Sequence, residues 1–180
     1  MKKNLEKNIQ IPEGIKVSFD DGKISVKGNG KELLRKFNFG KVKFSADGNS
    51  LKLDAKNATK RESKIIGTIA SHIKNMIQGI QEDFVYKMEI CNVHFPMNVK
   101  LDKNKLIIKS FLGESVDRNA EILENVKVDI KGNEIVISSA DVEKAGQTAT
   151  NIERATKLRG RDRRIFQDGI FITEKPGRKM

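Results

Sequence analysis

Few residues in this sequence are suited to catalysis or to metal binding. Cys91 and His94 form a Cys-x-x-His pair, and His72 is the only other histidine. A structural zinc site takes four ligands, and the sequence holds no second pair that could complete one. We therefore interpret Cys91 as an ordinary thiol at the end of a strand, and both histidines as structural or solvent-facing residues.

The other polar clusters have the spacing of turns. Asp20-Asp21 and Glu82-Asp83 are adjacent acids. Neighbouring residues on a strand point to opposite faces, so such pairs rarely converge on one metal ion. Gly28-Asn29-Gly30 is not followed by a dinucleotide fingerprint and is typical of a turn. No P-loop, nucleophile elbow or zinc-protease motif is present. The sequence predicts no enzyme activity, no metal and no cofactor.

The chemistry that the sequence does offer is positive charge. Lysine and arginine number 35 against 24 acids, for a net charge of +11, and residues 154–180 hold nine basic and three acidic side chains. The planar fork of arginine suits bidentate contact with phosphate. A charge run is often a solvated face, but a terminal, arginine-rich run favours an extension that binds a polyanion, nucleic acid before membrane. The predicted RNA-binding residues are Lys157, Arg159, Arg161, Arg163, Arg164, Lys175, Arg178 and Lys179.

Two weaker features accompany this run. Phe166 and the apolar residues 170–172 interrupt it; they could stack on bases, but a short strand docked on the preceding domain is the favoured interpretation. Lys60, Arg61 and Lys64 lie at the start of a predicted helix, where the helix dipole adds positive potential. They form a second candidate RNA contact, with a solvated face as the alternative.

The scaffold that must carry these residues is predicted to be a tandem repeat. Matching residues recur 84 positions apart through four strand-like segments, and 79 positions apart in a following helix. The fold class is therefore α+β, with two homologous domains. The matched pairs include Pro12 and Pro96, Val17 and Leu101, Ile24 and Ile108, Leu51 and Ile135, and Ile73 and Ile152.

Each repeat is predicted to hold two hairpins and one helix. In the first repeat, Asp21-Gly22 and Asp47-Gly48-Asn49 are turn signals between alternating apolar and polar runs. Thr59 and Glu62 have the spacing of a capping box, and Gly79 is a candidate C-terminal cap. The second helix is predicted over about 141–157. An alternating segment, 84–90, is predicted to be a strand that joins the repeats.

Length and composition bound the remaining possibilities. The chain has 180 residues and one cysteine, which excludes an internal disulfide and favours a reducing compartment. No apolar run is long enough to span a membrane, and no signal peptide is predicted. We predict a first repeat at 8–82, a second at 83–158, and a basic extension at 159–180 that docks partly on the second.

Two motifs resemble a known family over essentially the whole chain. The early Ile11-Pro12-Glu13-Gly14-Ile15 and the late Gly160-Arg161-Asp162-Arg163-Arg164-Ile165-Phe166-Gln167-Asp168-Gly169-Ile170 resemble the universal large-subunit ribosomal protein L-six family. The late motif is typical of its archaeal and eukaryotic branch, and a Tyr-Lys-Gly segment of the bacterial branch is missing.

The resemblance implies two α+β domains, each an antiparallel sheet covered by a helix. It also implies a structural protein of the large ribosomal subunit in the cytoplasm. Such a protein binds large-subunit (23S-type) rRNA near the factor-binding centre and the stalk base, beside neighbouring ribosomal proteins. Two alternatives stay open at this point. An RNA-modifying or RNA-processing enzyme would need a cofactor pocket or a metal cluster, and a basic protein–protein adaptor would bind independently of salt.

Overall fold

The computed structural model of the chain describes residues 3–20, 22–47 and 50–180, and it divides into two compact units, Met1–Asp83 and Phe84–Met180. Asp21, Gly48 and Asn49 of the predicted hairpin turns lie outside the described residues. Neither helix in the described ranges is long and apolar enough to span a membrane.

The described residues of the first unit form six strands and one long helix. The antiparallel sheets have the orders β2-β3-β4 and β1-β6-β5, and the helix packs its apolar stripe on them. The elements are β1 Lys3–Gln10, β2 Lys16–Asp20, β3 Lys23–Gly28, β4 Lys31–Lys36, β5 Lys43–Asp47, β6 Ser50–Ala58 and α1 Lys60–Gln81.

Helix α1 begins as predicted and ends later than predicted. Thr59 accepts a hydrogen bond from the Arg61 N–H, and Glu62 accepts one from the Thr59 N–H at 2.8 Å, so the capping box is confirmed. The prediction of Gly79 as the C-terminal cap is wrong. Gly79 is buried inside the helix, which continues because the fully buried Ile80 extends the apolar stripe.

The second unit repeats this plan with one addition. Its sheets have the orders β10-β9-β8 and β11-β12-β7-β13-β14, so two strands extend the second sheet beyond β7. The elements are β7 Phe84–Cys91, β8 Asn98–Asp102, β9 Lys105–Lys109, β10 Arg118–Glu121, β11 Lys127–Lys131, β12 Glu134–Ser139, α2 Val142–Ala155, β13 Gly169–Lys175 and β14 Arg178–Lys179.

The predicted fold class, two tandem α+β domains, is confirmed by this repetition. Both helices follow the second hairpin of their unit, and the predicted match of Ile73 with Ile152 extends along their buried faces. Ile66, Ile69, Ala70 and Ile73 of α1 correspond to Ala145, Thr148, Ala149 and Ile152 of α2.

Val17 and Leu101 lie in equivalent strands, β2 and β8, but the predicted residue matches of Val17 with Leu101 and of Ile24 with Ile108, in the first hairpin of each unit, are wrong by two positions. Asp20 pairs with Lys23 across one turn, and Asp102 pairs with Lys105 across the other. With these turns superposed, Val17 corresponds to Val99 instead. Because strand side chains alternate with period two, a slip of two positions preserves the apolar pattern. The sequence could not reveal the slip for this reason.

Strand β7 is more than a connection between the repeats. It pairs with both β12 and β13 and so lies at the centre of the five-stranded sheet. Its counterpart in the first unit is β1. Ile9 of β1 pairs with Leu51, and Met88 of β7 pairs with Ile135, the residue that matches Leu51 in the second repeat. Ile9 thus corresponds to Met88 and Val17 to Val99, so the connection after β7 is longer than the connection after β1.

Candidate nucleic-acid interface

The basic loop, residues 157–168, connects α2 to β13 and carries most of the predicted RNA-binding side chains. Gly160 has a φ of +65°, in the left-handed region that glycine adopts without strain, and it turns the chain away from the helix. Five basic side chains of the loop are exposed to solvent. They are Lys157, Arg159, Arg161, Arg163 and Arg164.

Arg118 anchors the start of the basic loop. Its Nη1 donates to the carbonyl oxygens of Ala155 at 2.9 Å and Lys157 at 3.1 Å, which lie at the end of α2. The other side of the guanidinium donates to the Glu114 carboxylate at 2.6 and 2.7 Å, and its carbon lies 4.3 Å from the centre of the Phe111 ring. Arg118 therefore satisfies carbonyls that every helix end leaves unpaired. Sequence reasoning missed this residue.

Asp168 anchors the end of the basic loop. Its Oδ1 accepts hydrogen bonds from the N–H groups of Val93 at 2.7 Å and His94 at 2.9 Å, and its Oδ2 lies 2.9 Å from the His94 Nδ1. The residue is only 2% exposed. Burial by itself raises the pKa of Asp168, but the hydrogen bonds from His94, Phe95 and Val93 outweigh it and lower that pKa below its ordinary value. In the sequence, Asp168 is one of the three acids among the basic residues and a member of the late family motif, but neither pattern indicates that it anchors the loop.

A third contact ties the end of α2 to the start of β13. The Thr156 hydroxyl accepts a hydrogen bond from the Ile170 N–H at 3.0 Å and donates one to the Glu153 carbonyl at 3.2 Å. Ile170 is fully buried in the core of the second unit. Both ends of the basic loop are thus tied to the same corner of this unit.

The arginines of the basic loop differ in their local contacts. Arg164 pairs with Asp162 at 2.8 Å, and that hydrogen bond lowers the pKa of the Asp162 carboxyl. The Arg161 guanidinium lies over the Phe166 ring, 4.8 Å from its centre. Arg159 and Arg163 form no ion pair within the described ranges of the chain. The last two are therefore the most available to an external anion.

The aromatic and apolar residues near the loop are used within the fold. Residues 170–172 lie in β13, which pairs with β7. Phe166 is half-buried, and its ring contacts His94 at 5.2 Å between centroids. A cleft of about 600 Å³ opens here, with Cys91, Arg154, Arg163 and Phe171 in its wall. Burial raises the pKa of the Cys91 thiol. The described residues contain no group of three or more side chains arranged to hold a metal ion.

The structure separates Lys175, Arg178 and Lys179 from the basic loop. These residues lie at the β13–β14 turn, whereas the loop enters the opposite end of β13. A seven-residue strand is roughly 20 Å long. The predicted RNA-binding residues of the second unit therefore form two groups, one at each end of this strand.

The second candidate contact lies in the first unit, on the first turn of α1. Lys60, Arg61 and Lys64 are exposed there. Glu62 lies in the same turn, and its hydrogen bonds to Thr59 lower its pKa, so the carboxylate stays charged. A negative charge at this helix end offsets the dipole that would attract an anion.

Comparison with known proteins identifies the family. Residues 11–83 and 95–169 match the family model described as Ribosomal protein L6. Proteins named large ribosomal subunit protein uL6 are similar over nearly the whole chain. The one from Aeropyrum pernix is 43% identical over 173 residues, which cover 96% of this chain and 95% of the relative. Those from Methanosarcina mazei (43% over 175 residues, 97% and 99% coverage) and Methanococcus vannielii (40% over 176, 98% and 97%) are also archaeal.

One of the two matched segments lies in each structural unit. The chain therefore belongs to the ribosomal protein L6 family, and it is a structural, non-enzymatic protein of the large ribosomal subunit in the cytoplasm.

Proposed function

We propose that this protein binds large-subunit rRNA chiefly through the basic loop of its second unit. The observation that carries the proposal is the placement of four exposed arginines, Arg159, Arg161, Arg163 and Arg164, on a loop anchored at both ends. An anchored loop loses little conformational freedom on binding, so its charges contribute more of their interaction energy to affinity.

The contacts are expected to be made mainly to phosphates. Arg159 and Arg163 are free to donate bidentate hydrogen bonds, and Arg164 can exchange its exposed Asp162 partner for a phosphate, because exposed ion pairs are weak. Phosphate contacts position a protein on RNA without reading its sequence. Recognition of one rRNA site would then come from the shape that this rigid surface fits.

The second basic group extends the proposed surface. Lys175, Arg178 and Lys179 lie at the far end of β13, so they would contact a different stretch of backbone from the one held by the basic loop. The Lys60, Arg61 and Lys64 patch is retained as a secondary contact. The family resemblance supports a location near the factor-binding centre and the stalk base, with ribosomal proteins of that region as neighbours.

The test is binding to large-subunit rRNA at several salt concentrations. Replacing Arg159, Arg161, Arg163 and Arg164 by alanine should lower affinity and reduce the slope of log affinity against log salt by about one unit for each lost contact. A matched control removes four exposed charges elsewhere in the same unit, in the variant with Lys103, Lys105, Lys127 and Lys131 replaced by alanine.

Circular dichroism establishes whether both variants fold, which is expected because exposed charges contribute little to stability. The control should retain most of the salt slope of the wild-type protein. A folded four-arginine variant that keeps both its affinity and its salt slope would show that rRNA is bound elsewhere. Equal losses in the two variants would mean that net charge, rather than this loop, determines binding.

A further inference from the structure

The first unit has an open sheet edge beside a cleft. Strand β1 is the edge of the sheet β1-β6-β5, and no strand of residues 3–20, 22–47 or 50–180 pairs with its outer side. A cleft of about 530 Å³ separates this edge from the last turns of α1. It is lined by Asn8, Ile9, Gln10, Lys74, Ile77, Gln78 and Gln81.

In the second unit, the corresponding place is filled by β13. The superposition that matches Ile73 with Ile152 also relates Ile9 to Met88 and Ile77 to Thr156. Ile172 of β13 pairs with Met88, and the Ile170 N–H donates to the Thr156 hydroxyl. The flanking positions match as well, because Asn8 and Gln10 correspond to Lys87 and Glu89, which pair with Glu174 and Phe171.

The second unit also shows which backbone groups of the edge face outward. The Ile90 N–H donates to the Asn133 carbonyl on the β12 side, whereas the Lys87 carbonyl accepts from the Thr173 hydroxyl at 3.2 Å on the β13 side. Backbone groups alternate in direction along an antiparallel strand. By this correspondence, the N–H and C=O groups of Asn8 point to the open side of β1.

We propose that the open edge of β1 and its cleft bind an extended segment of a second protein, which joins the sheet as an antiparallel strand. Such strand addition takes affinity from backbone hydrogen bonds and specificity from alternate side chains. An apolar side chain of the segment lies opposite Ile9 and packs in the cleft over Ile77. This partner is distinct from rRNA, and the proposal does not depend on the basic loop.

The positive charge beside the open edge of β1 indicates that the partner segment carries an acidic residue. Lys7 lies on the same face as Ile9, two residues before it, and Lys74 lines the cleft; neither forms an ion pair within the described residues. Glu6 lies on the other face, paired with Lys52 at 2.7 Å. In an antiparallel partner, the residue two positions after the apolar side chain lies opposite Lys7. The segment therefore has the pattern apolar–any–acidic. The sequence of β13 contains this pattern as Ile172-Thr173-Glu174, but a register shift between Ile172 and Glu174 places Glu174 opposite Lys87, the counterpart of Asn8, in the second unit, whereas a regular strand would place the acid opposite Lys7.

The test uses a fluorescein-labelled peptide, Gly-Ile-Phe-Ile-Thr-Glu-Lys, with the sequence of β13, titrated with the full chain and followed by anisotropy. We expect saturable binding. The Asn8→Pro substitution removes an outward N–H without disturbing the pairing with β6, and should weaken binding about tenfold or more. The control Lys16→Glu changes an exposed charge on the other sheet of the same unit and should leave binding unchanged.

A second measurement exchanges the charges of Lys7 and the peptide glutamate. It tests the proposal even if the Asn8→Pro variant does not fold. Lys7→Glu should weaken binding of the peptide, and a peptide with lysine in place of its glutamate should bind the Lys7→Glu protein better than it binds the wild type. The proposal is overturned if the wild type shows no saturable binding, if folded Asn8→Pro binds equally well, or if the exchange restores nothing. In those cases the lysines serve to keep other strands away from the edge.

Discussion

One buried carboxylate organises the end of the basic loop. Asp168 joins the start of β13 to the connection after β7 by accepting three hydrogen bonds from Val93 and His94. That connection is longer than its counterpart in the first unit, and it holds both donors. The loop's shape therefore depends on a residue that contributes nothing to its positive charge.

Asp168→Asn should destabilise the protein. The substitution keeps the shape of the side chain but removes a buried negative charge with three donors, and hydrogen bonds to charged groups each contribute roughly 1.5–3 kcal/mol. We expect the free energy of unfolding near neutral pH to fall by about 2–3 kcal/mol. Asp162→Asn, which changes an exposed acid in the same loop, should lower the free energy of unfolding much less.

The decrease in the free energy of unfolding caused by Asp168→Asn should also depend on pH. The pKa of Asp168 is lowered in the folded protein, so its stabilisation is complete above the unfolded carboxyl pKa of about 3.9 and disappears as pH falls through the folded pKa. Urea unfolding at a series of pH values should show the wild type and Asp168→Asn converging below about pH 4. A difference that stays constant through this range would contradict the role assigned to the charge.

Individual residues were predictable from sequence only where their partners are close along the chain. Thr59 and Glu62 lie within one helical turn, and their capping box was recognised. Asp168 contacts His94 across 74 residues, and Arg118 contacts the end of α2 across 37 and 39. Because these partners are distant along the chain, the sequence gives no signal that Asp168 and Arg118 anchor the loop. The basic side chains were visible in the sequence, but the anchors of their loop were not.

Among the elements, both helices and the hairpins with clear turn signals were predicted, and several strands were not. In β1, the inward Leu5 and Ile9 are separated by the exposed Lys7, so the apolar residues lack the period of two that marks a strand. Strands β4 and β10 are short and highly charged. Their pairing with β3 and β9 follows from tertiary context, which overrides weak local preference.

The N-terminal cap of α1 offers a test of element stability. Thr59→Ala removes the side chain that accepts the Arg61 N–H, and should lower the free energy of unfolding by about 1 kcal/mol. Thr68→Ala replaces an exposed threonine in the helix interior, where alanine has the higher helix propensity, and should be neutral or slightly stabilising. Chemical denaturation of the two variants distinguishes them; equal effects would remove the energetic role of the cap.

For the whole molecule, the duplication was visible because both copies keep their turns and apolar faces. The slip in the first hairpins was not, since it preserves alternation. Each unit has its own buried cluster, and we propose that the units are independent folding domains that meet between Asp83 and Phe84. In this view residues 159–180, predicted as a partly docked extension, complete the sheet of the second domain.

This proposal predicts the behaviour of two fragments. Residues 84–180 should fold cooperatively alone, because they contain the whole five-stranded sheet and its core. Residues 84–167 should not, because they lack Asp168, the fully buried Ile170 and the strand beside β7. Thermal unfolding followed by circular dichroism measures both. A cooperative transition in the shorter fragment would mean that β13 is an accessory to an already stable domain.

Under the proposed mode of RNA binding, strand β13 also determines when, during synthesis, the basic loop takes its final shape. Domains fold as units while the chain grows, beginning at the N-terminus. The elements of the first unit are complete once α1 has been made, at Gln81, whereas β7 must wait until β13 has emerged to gain its second neighbour. Until β13 pairs with β7, Asp168 cannot accept the hydrogen bonds from Val93 and His94. The arginines then lie on a loop whose C-terminal end is not anchored. The proposed RNA-binding loop is thus fixed only after β13 has been synthesised, later than every element of the first unit.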